Sequence, residues 1–408
     1  MEYYNQVTSE YLFALKQQRC LHKFKLELLS ANESVIGEII RDVSLLSEGQ
    51  ISINYGSITR RACTLTVMNV DRRYTPNQNS FFWVNRKFKL WLGITYKENT
   101  YWFAQGVFYA TDVSSDSNSI TVNGVDKGGA LDGTLKLNAV DGQYIIETGS
   151  NIFNVVTSLL SENMGVSMVD PVEPIVDTYF KNQVVQEEIS ISENEYIGDL
   201  LTKLAESYGA DVYYDVNGRL NFVRLADCDL INGYDRIPTQ YRFDDSTARY
   251  LNSTISCQYD FVNAVTVFTN INATDSDGNA IENVSYTAYN KNPMSPINIY
   301  SIDIRRLESV ETQYINGLTK EQMLKRCKSH ADYLLLKSSM VKLSVDFTCI
   351  TVPHLDVNQI VIISDKAKQI EDERFVIQSI SMPLSASATT IQAVSLTSLP
   401  ADTNIEMG

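Results

Sequence analysis

The stretch YWFAQGVFYATDVSSDSNSITVNG, Tyr101 to Gly124, alternates apolar and polar residues over a long run, breaks at a Ser/Asp/Asn cluster and then alternates again. Near the end of the chain ERFVIQSISMPLSASATTIQAVS, Glu373 to Ser395, does the same. Alternation with period two, β-branched and aromatic enrichment and a serine-rich break read as long strand, turn, strand. Setting Phe103 against Phe375 extends the likeness outward. Thirteen residues before each lies an apolar strand position, Leu90 and Ile362; Ile120 follows Phe103 by seventeen residues and Ile391 follows Phe375 by sixteen. Each β segment is also preceded by a helical pattern, TSEYLFALKQQ near the N-terminus and Thr319 to Lys337 before the last four strands. Any two β-meanders share much of this, and few residues are identical, so spacing leaves duplication and coincidence both open. A true duplication has a geometric consequence: three copies of a chain with two equivalent barrels supply six similar positions around one axis.

The remaining segments divide by pattern. HKFKLELLSANESVIGEII reads as strand, a turn at Ala31-Asn32-Glu33, strand; ACTLTVMNV alternates through Cys63, Leu65 and Val67; FKLWLGI follows. Evenly spaced short strands point to a barrel or sandwich. The middle changes character. Ser150 is placed to cap a helix with Ile152, Val155, Val156 and Leu159 on one face, ending near Gly165. Ser192 and Glu195 have capping-box spacing ahead of Ile197, Leu200, Leu201, Leu204 and Tyr208, with Gly209 as the stop, and ADVYYDVNGRLNFV follows as a hairpin whose Asn217-Gly218 suits a type I′ turn. After a turn-rich stretch from Asp227 to Pro238 strands resume. Thr319 and Gln322 then open a helix with Met323, Cys327, Ala331, Leu334 and Leu335 on one face, and VKLSVDFTCIT alternates strictly. The fold class expected is mainly β with an α+β insertion: an N-terminal helical arm over 1–20, a first β-barrel over 21–135, a small α+β domain over 136–235, a second β-barrel over 236–400 containing helix 319–337, and a tail over 401–408.

Composition narrows the function. The chain has 408 residues and a formal charge of −15, which opposes simple nucleic-acid binding, because a reader of phosphates needs a basic stripe that releases counterions. An acidic surface suits a protein past which DNA slides without sticking. The polar first residues lack a signal core, and no stretch approaches a membrane span, so the chain reads as soluble, outside the signal-peptide route and not membrane-inserted. Six cysteines, Cys20, Cys63, Cys228, Cys257, Cys327 and Cys349, are spread singly, which reads as reduced, mostly buried thiols.

Candidate chemistry is thin. Cys327, His330, Cys349 and His354 are ligand types that suit zinc, yet both thiols sit on apolar faces; buried thiols and ordinary surface histidines account for the set. DSDGN, Asp275 to Asn279, has its glycine too early for a calcium loop and Tyr286 where the bidentate glutamate belongs, so it reads as a turn. The pairs Glu187-Glu188 and Asp244-Asp245 point to opposite sides of an extended chain. No G-x-S-x-G, H-E-x-x-H or G-x-x-x-x-G-K-[ST] occurs. No catalytic, cofactor-binding or metal residue is assigned, and the chain is expected not to be an enzyme. The aromatics Phe81, Phe82, Trp83, Trp91, Tyr101 and Trp102 could stack sugars, or serve as barrel core and an oligomer contact.

Two segments carry a family resemblance. MNVDRRYTPNQNSFFW, Met68 to Trp83, resembles an N-x-D-G-R-[FY]-[ST]-P stretch in tail proteins of phages of Gram-positive bacteria, with Arg72 where glycine is common. PHLDVNQIVIIS followed by ERFVIQSISMPLSASATTIQAVSL is similar to the end of central tail-hub proteins, which usually read L-x-x-G-D-x-[VI]; Asn358 replaces that glycine and Gln359 that aspartate. The resemblance spans most of Leu21 to Leu399. It implies a structural baseplate or tail-tip hub built on two tail-tube-like barrels: a homotrimer joining the sixfold tail tube to a threefold spike or fibre around a channel crossed by DNA. Tail tube or distal tail protein, tape-measure protein and spike or fibre protein are the partners implied, the virion tail tip the location, and the host bacterial cytoplasm the place of synthesis. Any wall-cutting activity is expected in another protein, since the chain stops just past the last strand. A hexameric distal-tail adaptor and a carbohydrate-binding host-recognition module are the alternative readings.

Overall fold

A computed structural model describes residues 7–17, 21–72, 74–77, 83–135, 142–161, 170–185, 188–208, 210–224, 238–244, 250–257, 262–269, 283–291, 293, 297–312, 319–338, 343–384 and 388–395, apart from 41–45. The elements begin with a helix, Ser9–Leu15 (α1), whose N-cap Thr8 accepts a hydrogen bond from the Tyr11 N–H. Seven strands follow: Leu21–Leu29 (β1), Val35–Ile40 (β2), Leu46–Asn54 (β3), Arg61–Met68 (β4), Lys87–Tyr96 (β5), Asn99–Ser115 (β6) and Ser119–Asp126 (β7). The α+β segment comprises Tyr144–Ile146 (β8), Ile152–Ser161 (α2), Ile175–Val176 (β9), Ile189–Ile191 (β10), Ile197–Ser207 (α3), Ala210–Tyr214 (β11) and Leu220–Arg224 (β12). The last third holds Tyr241–Asp244 (β13), Tyr250–Cys257 (β14), Ala264–Thr269 (β15), Ser285–Tyr289 (β16), Leu307–Thr312 (β17), Lys320–Ser338 (α4), Leu343–Ile350 (β18), Ile360–Asp365 (β19), Ile370–Pro383 (β20) and Ala388–Ser395 (β21). The fold is mainly β with an α+β insertion, as the periodicities imply.

The chain forms two compact units. One comprises Met1–Ser253 with Asp346–Asp372 and Val376–Ala393; the other comprises Thr254–Val345 with Glu373–Phe375 and Val394–Gly408. In the second, β15 pairs with β16 and β17, and Met323, Cys327 and Ala331 of α4 bury against Val265 and Val267. In the first, α2 and α3 cover β8 to β12 through a core of Ile152, Val156, Leu200, Leu204 and Phe222.

The large sheet decides the question of the repeat. Its first half has the strand order β3-β4-β7-β6-β5-β1; its second half, β14-β18-β21-β20-β19-β13. Taken in chain order, β1 matches β13, β3 matches β14, and β4 to β7 match β18 to β21, so the halves share one strand order, with β2 beyond β1 unmatched in the second. Burial agrees. Cys63, Leu65 and Val67 of β4 are buried in alternation, as are Val345, Phe347 and Cys349 of β18. Phe103 and Phe375 are both core residues, as are Ile120 and Ile391; Leu90 is fully buried whereas Ile362 is half-buried, so that strand match is out of step. One other difference is that β1 runs antiparallel to β5 while β13 runs parallel to β19. The halves are joined by β20, which pairs antiparallel with β3 from Ser379↔Asn54 to Pro383↔Gln50.

Local chemistry moves several expected boundaries. Asn151, not Ser150, caps α2, accepting from the Asn154 N–H at 3.1 Å, because its side-chain amide reaches the third residue on. Helix α3 starts at Ile197; the Asp199 carboxylate accepts from the Tyr196 N–H at 2.8 Å, while Ser192 and Glu195 close the preceding turn, Glu195 accepting from the Ser192 N–H at 2.6 Å. The box opening α4 is formed: the Thr319 N–H donates to Gln322 Oε1 at 2.8 Å and the Gln322 N–H to Thr319 Oγ1 at 3.3 Å. The β11–β12 hairpin does not use a type I′ turn. Only Gly218 has positive φ, +75°, and Asp215 Oδ1 accepts from the Asn217 and Arg219 N–H groups, which holds a three-residue loop with its bulge at the glycine.

Candidate functional site

The residues singled out by type do not converge. Cys327 and His330 lie in the second compact unit, Cys349 and His354 in the first. Both thiols are fully buried. His354 is not a surface histidine. It is fully buried against Tyr11, Phe103 and Tyr241. Its Nε2 lies 3.2 Å from the Gln240 carbonyl, which can only accept, so the proton sits there and Nδ1 accepts from the Tyr11 hydroxyl at 2.9 Å. Burial pulls its pKa down to about 4. Among the described residues no group of three or more His, Cys, Asp or Glu is placed to hold a metal ion, and no helix is long and apolar enough to cross a membrane. Asp275 to Asn279, Glu187, Asp245, Phe81, Phe82, Gly165, Gly209 and the 401–408 tail lie outside the described residues.

Of the described aromatics, Trp83 lies exposed ahead of β5, and the other three divide between two faces of the sheet. Tyr101 packs on Tyr11 of α1, ring centroids 5.8 Å apart. Trp91 and Trp102 lie on the opposite face, where Lys25 Nζ stands 4.7 Å and 5.6 Å from their ring centroids and Trp91 Nε1 donates to Glu27 at 2.7 Å. Trp102 also roofs Gly93, where a Cβ would come within 2.8 Å of its ring. These three rings therefore do not form one stacking platform.

The two turn positions where glycine is common or usual in the resembled proteins both have positive φ here. Arg72 has φ 59° and Asn358 φ 60°, both in the left-handed region that favours glycine. Gln359 takes up a local role where aspartate is usual, its Oε1 accepting from the Asp356 N–H at 3.0 Å.

What residue-type reasoning missed is a buried charge network that ties the α+β segment and the β20 side of the sheet to the first β half. Arg60 Nη2 donates to both oxygens of Asp211 at 2.9 and 2.8 Å, with its guanidinium 3.7 Å from the Tyr213 ring centroid. Arg61, fully buried, donates to the Tyr214 carbonyl at 2.6 Å and to Asp356. Asp126 accepts from the backbone N–H groups of Arg60, Arg61 and Gly128 at 2.9, 2.8 and 3.0 Å; burial pushes its carboxyl up to about 7 against the pull of Arg61 and those donors. Close by, Lys127 Nζ donates to Glu33, Asp170 and the Gly218 carbonyl at 2.7, 2.6 and 2.8 Å. Gly128 fits because a Cβ there would stand 2.2 Å from the Ile58 carbonyl oxygen. The visible signal was the adjacent Arg60-Arg61 at the head of a strand that otherwise alternates apolar residues with threonines.

Among the open strand edges of the described residues, two correspond to one another across the repeat. The first is β14, which has β18 as its one neighbour and presents Leu251 at 53 % exposure. The second is the end of β6: β5 pairs with it only as far as Tyr109, leaving Thr111–Ser115 without a strand on that side, whereas the matching edge of β20 is occupied by β3. A bare edge offers unpaired N–H and C=O groups to another strand.

No family model matches the chain, and no curated protein sequence matches it. Solved structures do. The 43 kDa tail protein of prophage MuSo2 from Shewanella oneidensis superposes with TM-score 0.55 at 14% identity, covering 92% of this chain and 99% of that one. A tail protein from Neisseria meningitidis MC58 gives TM-score 0.58 at 12% identity, covering 93% and 98%. A chain of the lidded Francisella PdpA-VgrG complex gives TM-score 0.54 at 12% identity over 95% of this chain and 54% of that one. The shared architecture runs nearly end to end, and the chain has the fold of phage tail proteins.

Proposed function

We propose that the chain is a non-enzymatic structural hub of a phage tail or phage-tail-like particle. As a homotrimer it joins the sixfold tail tube to a threefold spike or fibre around a central DNA channel. The observation that carries this reading is the doubled six-strand order, with one half occupying a β3 edge that the other half leaves empty at its own equivalent. If Thr111–Ser115 of β6 takes up β14 of the next copy, as β20 takes up β3 within the chain, three chains close a ring of six equivalent β units. Such a ring meets sixfold and threefold neighbours at once. The tail-protein fold supports a place in the virion tail, with tail tube or distal tail protein, tape-measure protein and spike or fibre protein as neighbours. The test is a Ser114→Cys, Asn252→Cys double variant treated with a short bis-maleimide. Covalent trimers, absent from each single variant and from the wild type, are expected. A product of hexamers would shift the assignment to a distal-tail adaptor, and monomers alone would refute the pairing.

A further inference from the structure

Lys89 on β5 reaches the tip of the β11–β12 hairpin, where its Nζ lies 2.8 Å from Asn217 Oδ1. With the amide C=O bond about 1.23 Å long, Nζ stands about 3–4 Å from Asn217 Cγ, the separation of an amine set to attack a carboxamide carbon. Both partners are held in place. The Asn217 and Arg219 N–H groups donate to Asp215 Oδ1 at 2.8 and 3.0 Å, and Gly218 lies so close to β6 that an added Cβ would come within 2.9 Å of Val107. The Lys89 ammonium lies 4.6 Å from the Trp91 ring centroid, and Lys89 and Asn217 are both half-buried. A carboxylate completes the group. Glu27 stands directly opposite Lys89 in the β1–β5 ladder, its side chain 13% exposed, accepting from Lys25 Nζ at 2.8 Å and from Trp91 Nε1 at 2.7 Å.

We infer that Lys89 and Asn217 join in an intramolecular isopeptide bond. Lys89 gives up a proton, its Nζ forms a bond to Asn217 Cγ, the Cγ–Nδ2 bond breaks, and the side-chain nitrogen leaves as ammonia that takes up the released proton. One ammonium and one carboxamide thus become one secondary amide and one ammonium ion, so atoms and charge balance without an oxidant or any other reactant. Glu27 carries the proton from Lys89 toward the leaving nitrogen, since each of its oxygens keeps a lone pair beyond the bonds from Lys25 and Trp91. Asn217 has a second nucleophile beside it, the backbone nitrogen of Gly218, whose attack would give a succinimide. That N–H donates to the Asp215 carbonyl at 3.0 Å, which engages it in the turn and favours Lys89. The bond spans 128 positions and fastens to β5 the same hairpin that Arg60 grips through Asp211. It makes covalent a joint between the α+β segment and the first β half.

The test is the mass of the intact chain, measured after purification and again after prolonged incubation in native buffer. A loss of about 17 Da, one ammonia, is expected, and a tryptic digest should contain a branched peptide joining the segments around Lys89 and Asn217. Lys89→Arg and Asn217→Ser should each keep the full sequence mass and lack the branched peptide. Glu27→Gln should slow the loss at least about tenfold, as removal of a proton carrier does; linkage at the wild-type rate would strike Glu27 from the mechanism. A wild-type chain that keeps its sequence mass throughout the incubation overturns the bond. So does a loss that persists in Lys89→Arg and turns into a gain of about 1 Da at mildly alkaline pH, because that is a Gly218 succinimide hydrolysing to aspartate and isoaspartate.

Discussion

Ser52 of β3 stands opposite Ser381 of β20, 329 positions further along the chain, in a regular antiparallel ladder. That pairing makes one sheet of two halves sharing the same strand order. It also defines what the other end of each half lacks. The first half has its β3 edge filled by the second; β14, the equivalent of β3, has nothing beyond it among the described residues.

The empty β14 edge predicts where assembly can be blocked. Leu251 lies exposed on that strand, so Leu251→Asp would remove apolar contact from the proposed inter-chain ladder and place a charge in it without disturbing a buried site. The variant should melt within about 2 °C of the wild type, as surface changes usually cost under about 0.5 kcal/mol. Light scattering should return the mass of one chain where the wild type returns three.

The Arg60–Asp211 pair predicts a large, asymmetric stability effect. Both groups are buried, so Arg60→Ala leaves the Asp211 carboxylate without its bidentate partner and should cost about 3–5 kcal/mol in urea unfolding. Replacing both, Arg60→Met with Asp211→Leu, should restore most of that loss, because an apolar pair needs no desolvation of charge.

Two left-handed positions predict different sensitivities to glycine. Arg72 sits at φ 59° with a Cβ that opposes this conformation by about 1–2 kcal/mol, so Arg72→Gly should raise stability by about 0.5–1 kcal/mol after the entropy gained by the unfolded glycine is subtracted. Asn358→Gly, at φ 60°, should be near neutral, since asparagine tolerates this region. Chemical denaturation of the two variants side by side checks both signs.

His354 predicts a pH dependence. Its pKa falls from 6.5 to about 4 on folding, because burial disfavours the cation. Between these values the unfolded chain binds the extra proton, so the stability held above pH 6.5 is lost as the pH falls toward 4, at up to about 1.4 kcal/mol per pH unit. Protonation also removes the Nδ1 acceptor of the Tyr11 hydroxyl, so α1 should loosen first. In His354→Gln the slope of stability against pH over this window should be smaller by about that amount, measured by urea titrations from pH 4 to 7.

Much of the fold was legible because burial imposes period two. Cys63, Leu65 and Val67, and Val345, Phe347 and Cys349, announce a core face in the sequence, whereas the spacing of Phe103 and Phe375 from their neighbouring strands left duplication open, and its Leu90–Ile362 match is out of step. Caps were legible to within a residue or two, because Ser, Thr, Asn and Asp compete for the same N–H groups; Asn151 displaced Ser150 and Asp199 displaced Glu195. The charge network was not legible, since Arg60 meets Asp211, and Arg61 meets Asp356, across 151 and 295 positions that only tertiary folding brings together. His354 was misread for the same reason: its partners, Tyr11 and Gln240, are remote in sequence. The shared face of Trp91 and Trp102, opposite Tyr101, follows from strand register, which depends on a bulge in the β5–β6 ladder near Leu90 and Trp91.

The most direct measurement of the central claim is the mass of the purified chain in solution, by light scattering across a hundredfold range of concentration. Three chain masses, with six similar lobes in averaged electron micrographs, is the result predicted. One chain mass at every concentration, unchanged by added tail proteins, would contradict the account.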